Sequence, residues 1–546
     1  MEIYTTPPEE IQEVDVIIAG GGTAGIIIAS RIADAGPWLS VLIIEHGPDS
    51  QGNQVVAHPL LWRAVLHPQA GATLYYVAKN ESQLAGRAIP VATGGILAGG
   101  SSMNLSIYTR PQGSDYDAWN VEGWTAEDLR PFANKAETYH GTGNKEHHGR
   151  GGPIQTERDF ISAASQVGYS EVQDLHGLHS NLGVSHCLKY VSPGGKRQDV
   201  AHTYMHPRLQ DGKHENLHVL VESQVIKVLF DSEGKRAVGV EYRPNPAIHK
   251  GAAQHGIRVL ERSGIGDPEI LKKAGVPVIA DLRGVGRGYQ DHQVISYYYK
   301  GNIPKEETSD HAFIEPSASY EPLLKNNDKT LGWNGFDVSA KIRPTEAEVD
   351  ALGPEFQKAW ERDFSGVPGK PLSTLLHITG PDLGDPPDFK LGFLTDDHDL
   401  DLKAHIWAYK KQREIARRMK AYLGEVEGHH PNFPQGSKAA IAEPIQGNPE
   451  TVIEYTAEDD AAIAELVRRK VLTCWHGLGT CRMGPRDLDA VSVVDKNLNL
   501  YGVQGLKVAD LSIAPENAAA DTHNTALTIG EKAASIIIAE LGLAWR

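Results

Sequence analysis

Residues 14–45 read VDVIIAGGGTAGIIIASRIADAGPWLSVLIIE, and this stretch decides the fold of the first part of the chain. The apolar run at 14–19 is typical of a parallel strand buried on both faces. The turn at 20–25 fits G-x-G-x-x-G, and an apolar helix and a second strand follow it. Glu45 ends that strand 20 residues beyond the turn, where an acid accepts hydrogen bonds from a ribose. This order predicts a dinucleotide-binding βαβ unit.

The residues of the turn have separate mechanical roles. Gly20 permits the tight turn, Gly22 lets the backbone approach a pyrophosphate, and Gly25 allows the helix to pack closely on the strand. Thr23 and Ala24 lie between them, at a helix start whose free N–H groups attract phosphate. The pattern alone does not distinguish FAD from NAD.

Composition limits the class of protein. The chain has 546 residues and a net charge of −17, which argues against nucleic-acid binding because phosphate recognition needs a basic surface. Its three cysteines are too few and odd in number for a disulfide framework. No apolar run is long enough to span a membrane, and neither a secretory signal nor a C-terminal Ser-Lys-Leu is found. We therefore expect a cytoplasmic protein, with a peroxisomal location left open.

Further motifs follow in a fixed order along the chain. They read GGILAGGSSMNLSIYTR at 94–110, PQGSDYDAW at 111–119, VLERSGIGDPEIL at 259–271, WHGLGTCRMG at 475–484, VVDKNLNLYGVQGLKVADLSIAP at 493–515 and LTIGEKAA at 527–534. Together with the glycine-rich turn they resemble the glucose-methanol-choline (GMC) oxidoreductases. Within that family the motifs are similar to the fungal alcohol (methanol) oxidase branch.

The resemblance implies an α/β fold with FAD as the cofactor. A Rossmann-like FAD-binding domain would be assembled from residues 1–113, 200–290 and 470–546. An α+β substrate-binding domain with an antiparallel sheet would take residues 114–199 and 291–469. In the substrate-binding domain, Thr345 is expected to start a helix, and residues 398–419 are expected to form an amphipathic helix.

The resemblance also implies which residues hold FAD. The ADP half would lie on the glycine-rich turn and Glu45, while Val225 matches a position whose backbone meets the adenine. Ordinary strand core is an equal alternative for Val225. Asp510 matches an acid near the pyrophosphate and ribityl chain. The flavin and its pyrophosphate would be lined by Gly99, Gly100, Ser101, Ser102 and Asn104.

Catalysis is assigned to His476, which matches the family's catalytic histidine. Histidine suits a base that takes a hydroxyl proton near neutral pH. The family places a second polar side chain beside it, usually His or Asn, and counting back nine residues from Gly530 reaches Asp521. A protonated Asp521 can donate a hydrogen bond, whereas an ionised one should pair with protonated His476 and slow alcohol turnover. We favour the coupled pair.

A rival hypothesis shifts the register of the loop before the last helix by two residues. His523 then points at the flavin, while Asp521 or Thr522 caps the last helix.

One segment departs from the family pattern. Before residue 259 the resemblance requires a buried strand and a small-residue loop, but the chain reads RPNPAIHKGAAQHGIR at 243–258. This predicts a gap in the parallel sheet, or its filling by another segment. The chain has then lost a piece or has diverged from flavin binding.

The function that the resemblance implies is FAD-dependent oxidation of a primary alcohol to an aldehyde, with O2, giving H2O2, or a quinone as acceptor. A role in secondary metabolism and homo-oligomer formation are left open, and no metal is expected. The alternatives are a non-redox lyase or cyclase on the same fold, and an inactive chain.

Overall fold

The computed structural model describes residues 3–8, 11, 13–137, 156–172, 174–177, 182–245, 248, 259–303, 308, 310–313, 319–378, 390–440, 452–486 and 491–545. The strands are β1 Ile3–Tyr4, β2 Val16–Ala19, β3 Val41–Ile44, β4 Thr73–Val77, β5 Pro90–Gly94, β6 Ile107–Tyr108, β7 Gly183–His186, β8 Leu188–Lys189, β9 Leu217–Leu220, β10 Ser223–Phe230, β11 Ala237–Pro244, β12 Ile265–Gly266, β13 Ala280–Asp281, β14 Gln293–Val294, β15 Tyr299–Gly301, β16 Phe336–Ile342, β17 Ser373–Ile378, β18 Tyr422–Glu425 and β19 Leu472–Thr473. The α-helices are α1 Thr23–Ala35, α2 Gln54–Ala57, α3 Trp62–Leu66, α4 Gly100–Met103, α5 Gly113–Asp117, α6 Ala126–Lys135, α7 Thr156–Gln166, α8 His206–Gln210, α9 Val259–Arg262, α10 Pro268–Lys273, α11 Asp310–Phe313, α12 Glu321–Lys325, α13 Glu346–Ala351, α14 Pro354–Trp360, α15 Leu400–Arg418, α16 Ala457–Lys470 and α17 Thr522–Glu540.

A parallel sheet carries the predicted βαβ unit. Its strand order is β1-β9-β3-β2, and all three pairings are parallel. Strand β3 is fully buried. The prediction that β2 is a central strand buried on both faces is wrong. Strand β2 is at the edge of the sheet, and Ile17 is 36% exposed, because no strand in the described residues pairs with its outer side.

The segment predicted to lack a family strand falls mostly outside the described residues. Of residues 243–258, the structure describes 243–245, in and just after β11, and 248. Among the described residues no strand pairs with the outer side of β2, and the predicted gap itself stays a prediction. Apolar residues on an edge strand are less buried than those on a central strand.

Helix α1 connects the sheet to the last helix of the chain. Ile26, Ile27 and Ile32 are completely buried in α1, and they share one core with residues of α17. Gly530 allows the close approach, since a Cβ atom there would lie 3.1 Å from the Cα of Ala24 and 3.1 Å from the Cβ of Ile27. The N-terminus of α17 is therefore fixed relative to that of α1.

A buried ion pair holds the same two helices together. The Arg31 guanidinium donates from Nε to Glu531 Oε2 at 2.9 Å and from Nη2 to Oε1 at 2.6 Å, and the Tyr204 hydroxyl donates to the same carboxylate at 2.9 Å. The Glu531 side chain is 0% exposed. Its charge is thus compensated by a bidentate partner and a hydroxyl, as a buried carboxylate requires.

A second layer contains the antiparallel sheet β17-β16-β7. Strand β16 is buried along its whole length, and its apolar residues form one core with residues of α7 and α15. The antiparallel sheet expected from the resemblance is therefore present. The assignment of chain segments to two domains stays a prediction.

The helices predicted in this layer are present. Helix α13 starts after Thr345, whose hydroxyl accepts the Glu348 N–H in a capping box. Helix α15 covers most of residues 398–419, with Tyr409 and Ile415 fully buried. In the described parts of the chain, no helix is both long and apolar enough to cross a membrane.

Removing the buried carboxylate should destabilise the protein much more than removing an exposed one. We expect Glu531→Ala to lower the free energy of unfolding by about 3 kcal/mol, because the partly buried Arg31 then keeps only its longer, 3.8 Å contact with Asp34. The matched control is Glu127→Ala, which breaks the exposed Arg130–Glu127 pair and should cost less than about 1 kcal/mol. Denaturation midpoints compare the two variants, and equal losses would contradict the role given to this pair.

Candidate active site

The glycine-rich turn has the geometry that a pyrophosphate needs. Gly20 has a φ of 104°, which favours glycine, and a Cβ on Gly25 would lie 2.3 Å from the Gly20 carbonyl oxygen. Around Gly20 and Gly22 the space is open, since a Cβ there meets nothing within 4 Å. Gly22 is the N-cap of α1 without a side-chain cap, so the N–H groups of Thr23 and Ala24 begin the helix where an anion is favoured.

Glu45 closes the opposite side of the turn. Its carboxylate accepts the N–H of Gly21 at 2.7 Å and that of Gly47 at 2.7 Å. Burial raises the pKa of Glu45 to about 7, against the opposing effect of these backbone hydrogen bonds. The carboxylate is at the end of β3, as the ribose-binding prediction requires.

The second predicted loop packs directly on the first. Gly99 has a φ of 55°, and its Cβ position is 3.1 Å from the Cα of Gly22. Gly100, with open space at its Cβ position, begins α4. The hydroxyls of Ser101 and Ser102 turn inward and donate to the carbonyls of Ala98 and Leu97 at 2.9 Å each. Only the backbone of these two serines is therefore free to line a cofactor.

Asn104 is adjacent to His523 rather than to His476. Its Oδ1 accepts the Ser106 N–H and Nη1 of Arg197, so its Nδ2 donates to His523 Nδ1 at 3.0 Å. Burial, followed by the charge of Arg197, lowers the pKa of His523 to about 4. His523 is therefore neutral and carries its proton on Nε2. That atom and Arg197 Nη2 are buried donors without a partner in the described chain.

Val225 and Asp510 are at separate places. The Val225 side chain is buried beside Leu42 and Ile44 of β3. This matches the alternative that the side chain is ordinary strand core. The contact of the Val225 backbone with the adenine stays a prediction. Asp510 caps the short helix Leu511–Ile513 through the N–H of Ser512. The Leu511 carbonyl in turn accepts the N–H of Gly479 in the His476 loop.

Asp291 fixes the loop that carries His476. Its carboxylate accepts the backbone N–H of His476 at 2.9 Å, the Tyr289 hydroxyl at 2.8 Å and the Thr473 hydroxyl. Trp475, just before His476, has a φ of 59°, a rare conformation for a bulky residue. Strain of this kind persists only where the surroundings enforce it, and it is concentrated at functional sites.

Asp521 reaches His476, as counting from Gly530 predicts. Its Oδ1 is 3.4 Å from His476 Nε2, and its Oδ2 accepts the Thr109 hydroxyl at 2.9 Å. Asp521 occupies the N-cap position of α17 but makes no side-chain capping bond. The carboxylate is used for the histidine and the threonine instead. The structure thus pairs His476 with Asp521, and pairs His523 with Asn104.

His292 lies behind the ring of His476. The two Nδ1 atoms are 2.9 Å apart, so one donates and the other accepts. Burial lowers the pKa of His292 to about 3, so His292 is neutral. His476 is thereby held through Nδ1, and its Nε2 lies on the side of Asp521.

Sequence reasoning did not identify Asp291, His292, Thr109 or Cys474 as site residues. The adjacent acid and histidine in the stretch GYQDHQ at 288–293 were the available signal. Cys474 lies two residues before His476, and Thr109 lies inside the 94–110 motif.

Family models match most of the chain. The model for the N-terminal part of the GMC oxidoreductases matches residues 14–294, and the model for the C-terminal part matches residues 374–530. The chain belongs to the GMC oxidoreductase family. An alcohol oxidase from Candida boidinii is 33% identical over 641 aligned positions, which cover 97% of this chain and 96% of the relative.

Solved structures share the fold of this GMC protein. An FAD-dependent oxidoreductase from Chaetomium thermophilum superposes with a TM-score of 0.77 at 23% identity, covering 97% of this chain and 100% of that one. A fungal aryl-alcohol oxidase superposes with a TM-score of 0.70 at 21% identity, covering 97% and 99%. The predicted family and fold class are confirmed.

FAD is the cofactor that this family and the site indicate. The open space over Gly20, Gly22 and Gly100 fits a dinucleotide, and the unpaired donors of His523 and Arg197 fit acceptor atoms of a ring system. The alignment with the Candida relative spans 641 positions, more than the 546 residues of this chain. The relative therefore carries segments without a counterpart here.

Replacing His292 should slow turnover without releasing FAD. In His292→Leu the Nδ1 of His476 loses its hydrogen-bond partner, so we expect alcohol turnover to fall roughly tenfold to a hundredfold, as for other residues that orient a functional imidazole. His292→Asn keeps a hydrogen-bonding side chain and should stay closer to the parent enzyme. The pH–rate profile and the flavin absorbance per chain are measured together for each variant. Equal rates in both variants and the parent would contradict the orienting role of His292.

Proposed function

We propose that this GMC oxidoreductase oxidises a primary alcohol to an aldehyde with His476 as the base and Asp521 as its partner. The observation that carries the proposal is the position of His476 Nε2, 3.4 Å from Asp521, in a loop held by Asp291 and His292. Alcohol oxidase relatives support the reaction class, and they do not favour a non-redox lyase or cyclase.

The protein's own part in the reaction is proton handling and orientation. His476 Nε2 accepts the hydroxyl proton of the alcohol while Nδ1 stays hydrogen-bonded to His292. Asp521 is anchored by Thr109 and can accept a hydrogen bond from the protonated His476. Bound FAD supplies the acceptor for the hydride that leaves the carbinol carbon.

The residues that would hold FAD follow from the two packed loops. The turn at 20–25 and the loop at 99–104 face one another across Gly22 and Gly99. Glu45 and the Val225 backbone would contact the adenosine end of FAD. Asp510 would lie where the FAD site joins the catalytic loop. We include O2, with formation of H2O2, as the electron acceptor, and a quinone is the alternative.

Anaerobic flavin reduction tests this function. Under nitrogen, the holoenzyme is mixed with short aliphatic and benzylic primary alcohols while its visible absorbance is followed. We expect bleaching, and a rate at least roughly a hundredfold lower in His476→Ala, because a positioned base contributes about 10²–10⁴ in rate. Persistent flavin colour with every alcohol would overturn the proposal, and re-oxidation on admitting air separates O2 from a quinone as acceptor.

Removing the charge of Asp521 should accelerate the reaction. The Asp521 carboxylate lies 3.4 Å from His476 Nε2 and competes with the alcohol hydroxyl for that nitrogen. A partly exposed interaction of this kind is worth up to about 1 kcal/mol, so Asp521→Asn should oxidise the alcohol about fivefold faster, measured as the rate of flavin bleaching under nitrogen. An unchanged rate would show that the two side chains are not coupled.

A further inference from the structure

Three chemically different ligand groups meet beside the catalytic histidine. The Cys474 sulfur, an imidazole nitrogen of His476 and a carboxylate oxygen of Asp521 all lie within 4.8 Å of one another. Cys474 and His476 flank Trp475, whose φ of 59° turns the chain between them. Cys474 takes no part in the proposed proton transfer, and its thiol is free.

The spacing is close to that of a tetrahedral zinc site. Zinc–ligand bonds of about 2.0–2.3 Å place neighbouring ligand atoms about 3.3–3.7 Å apart. The distance from His476 Nε2 to Asp521 Oδ1 is already 3.4 Å. All three ligand atoms lie within 4.8 Å of one another, so a modest contraction would give a three-ligand set with a fourth position for water.

The orientation of His476 suits the binding of a metal ion at Nε2 as well as the acceptance of a proton there. Metal-binding histidines commonly donate their second ring nitrogen to a fixed partner, which aims the other lone pair at the ion. Here His476 Nδ1 lies 2.9 Å from His292 Nδ1, which leaves Nε2 on the side of Asp521. Thr109 orients the carboxylate in the same way from its other oxygen.

We propose that Cys474, His476 and Asp521 form a reversible binding site for Zn²⁺ or another thiophilic divalent cation. One thiolate, one carboxylate and one neutral imidazole balance the double charge of the ion and match the donor types that zinc prefers. Binding replaces the thiol proton of Cys474, which leaves to solvent.

The site makes metal binding and base catalysis mutually exclusive. The ion occupies the Nε2 lone pair that accepts the alcohol proton, so bound Zn²⁺ inhibits turnover and a chelator restores it. This consequence rests on the proposed alcohol oxidation, whereas the binding itself does not.

Calorimetric titration of the FAD-loaded protein with Zn²⁺ alone tests the site. We expect one tight equivalent per chain, an affinity at least tenfold weaker in Cys474→Ser, and parent-like binding in Cys187→Ser. Cys187 is the matched control, since it is also a buried thiol close enough to Asp521 to be influenced by its charge but does not belong to the ligand cluster. Cd²⁺ provides a second readout, because a cadmium–thiolate ultraviolet band appears only if a cysteine ligates.

Each outcome decides the proposal. Equal Zn²⁺ affinity in the parent and Cys474→Ser, or no Cd²⁺–thiolate band in the parent, would overturn the site. If Cys474→Ser fails to fold, Asp521→Asn replaces it, since an amide is a much poorer zinc ligand and should also lose at least tenfold. Cysteine-dependent Zn²⁺ binding in a protein that oxidises no alcohol would uphold the site and reject the proposed function.

Discussion

The contact between α1 and α17 is the constraint on which the rest of the site depends. One helix begins at the glycine-rich turn, and the other begins at Asp521. Gly530 lets them touch, and the buried Arg31–Glu531 pair fixes them along their length. Because the helices cannot slide, residues nearly 500 positions apart in the chain face one another at a constant distance. The cofactor loops and the catalytic pair are thereby brought to the same end of the two helices.

The second organising element is the polar network behind His476. Asp291 holds the backbone of the loop, His292 holds Nδ1 of the ring, and Thr109 holds Asp521. The left-handed backbone at Trp475 is the local cost of this arrangement. A neutral His292 is consistent with the chemistry, since a second positive charge behind His476 would oppose its protonation. The same preorganised Nε2 atom accounts for the proposed proton transfer and for the proposed metal site.

Local sequence patterns predicted the elements with regular periodicity and known turn chemistry. The βαβ unit, the Thr345 cap and α15 were accessible from spacing, and the pairing of Asp521 with His476 from the family resemblance. The edge position of β2 was not, because an apolar run such as 16–19 has the same pattern in a central strand as at an edge. Asp291 and His292 were also missed, since their role arises from packing between segments about 180 residues apart, and no local pattern encodes it. The inward turn of the Ser101 and Ser102 hydroxyls likewise depends on tertiary contacts.

The central claim is that the packed loops form a working FAD site although β2 is left at the edge of the sheet. The most direct measurement is the visible absorption spectrum of the purified protein after desalting, together with its flavin-to-protein ratio. Our account predicts a flavin spectrum that survives desalting, with close to one FAD per chain. A colourless protein that remains colourless after incubation with FAD would contradict it, because the open edge would then have removed the cofactor site.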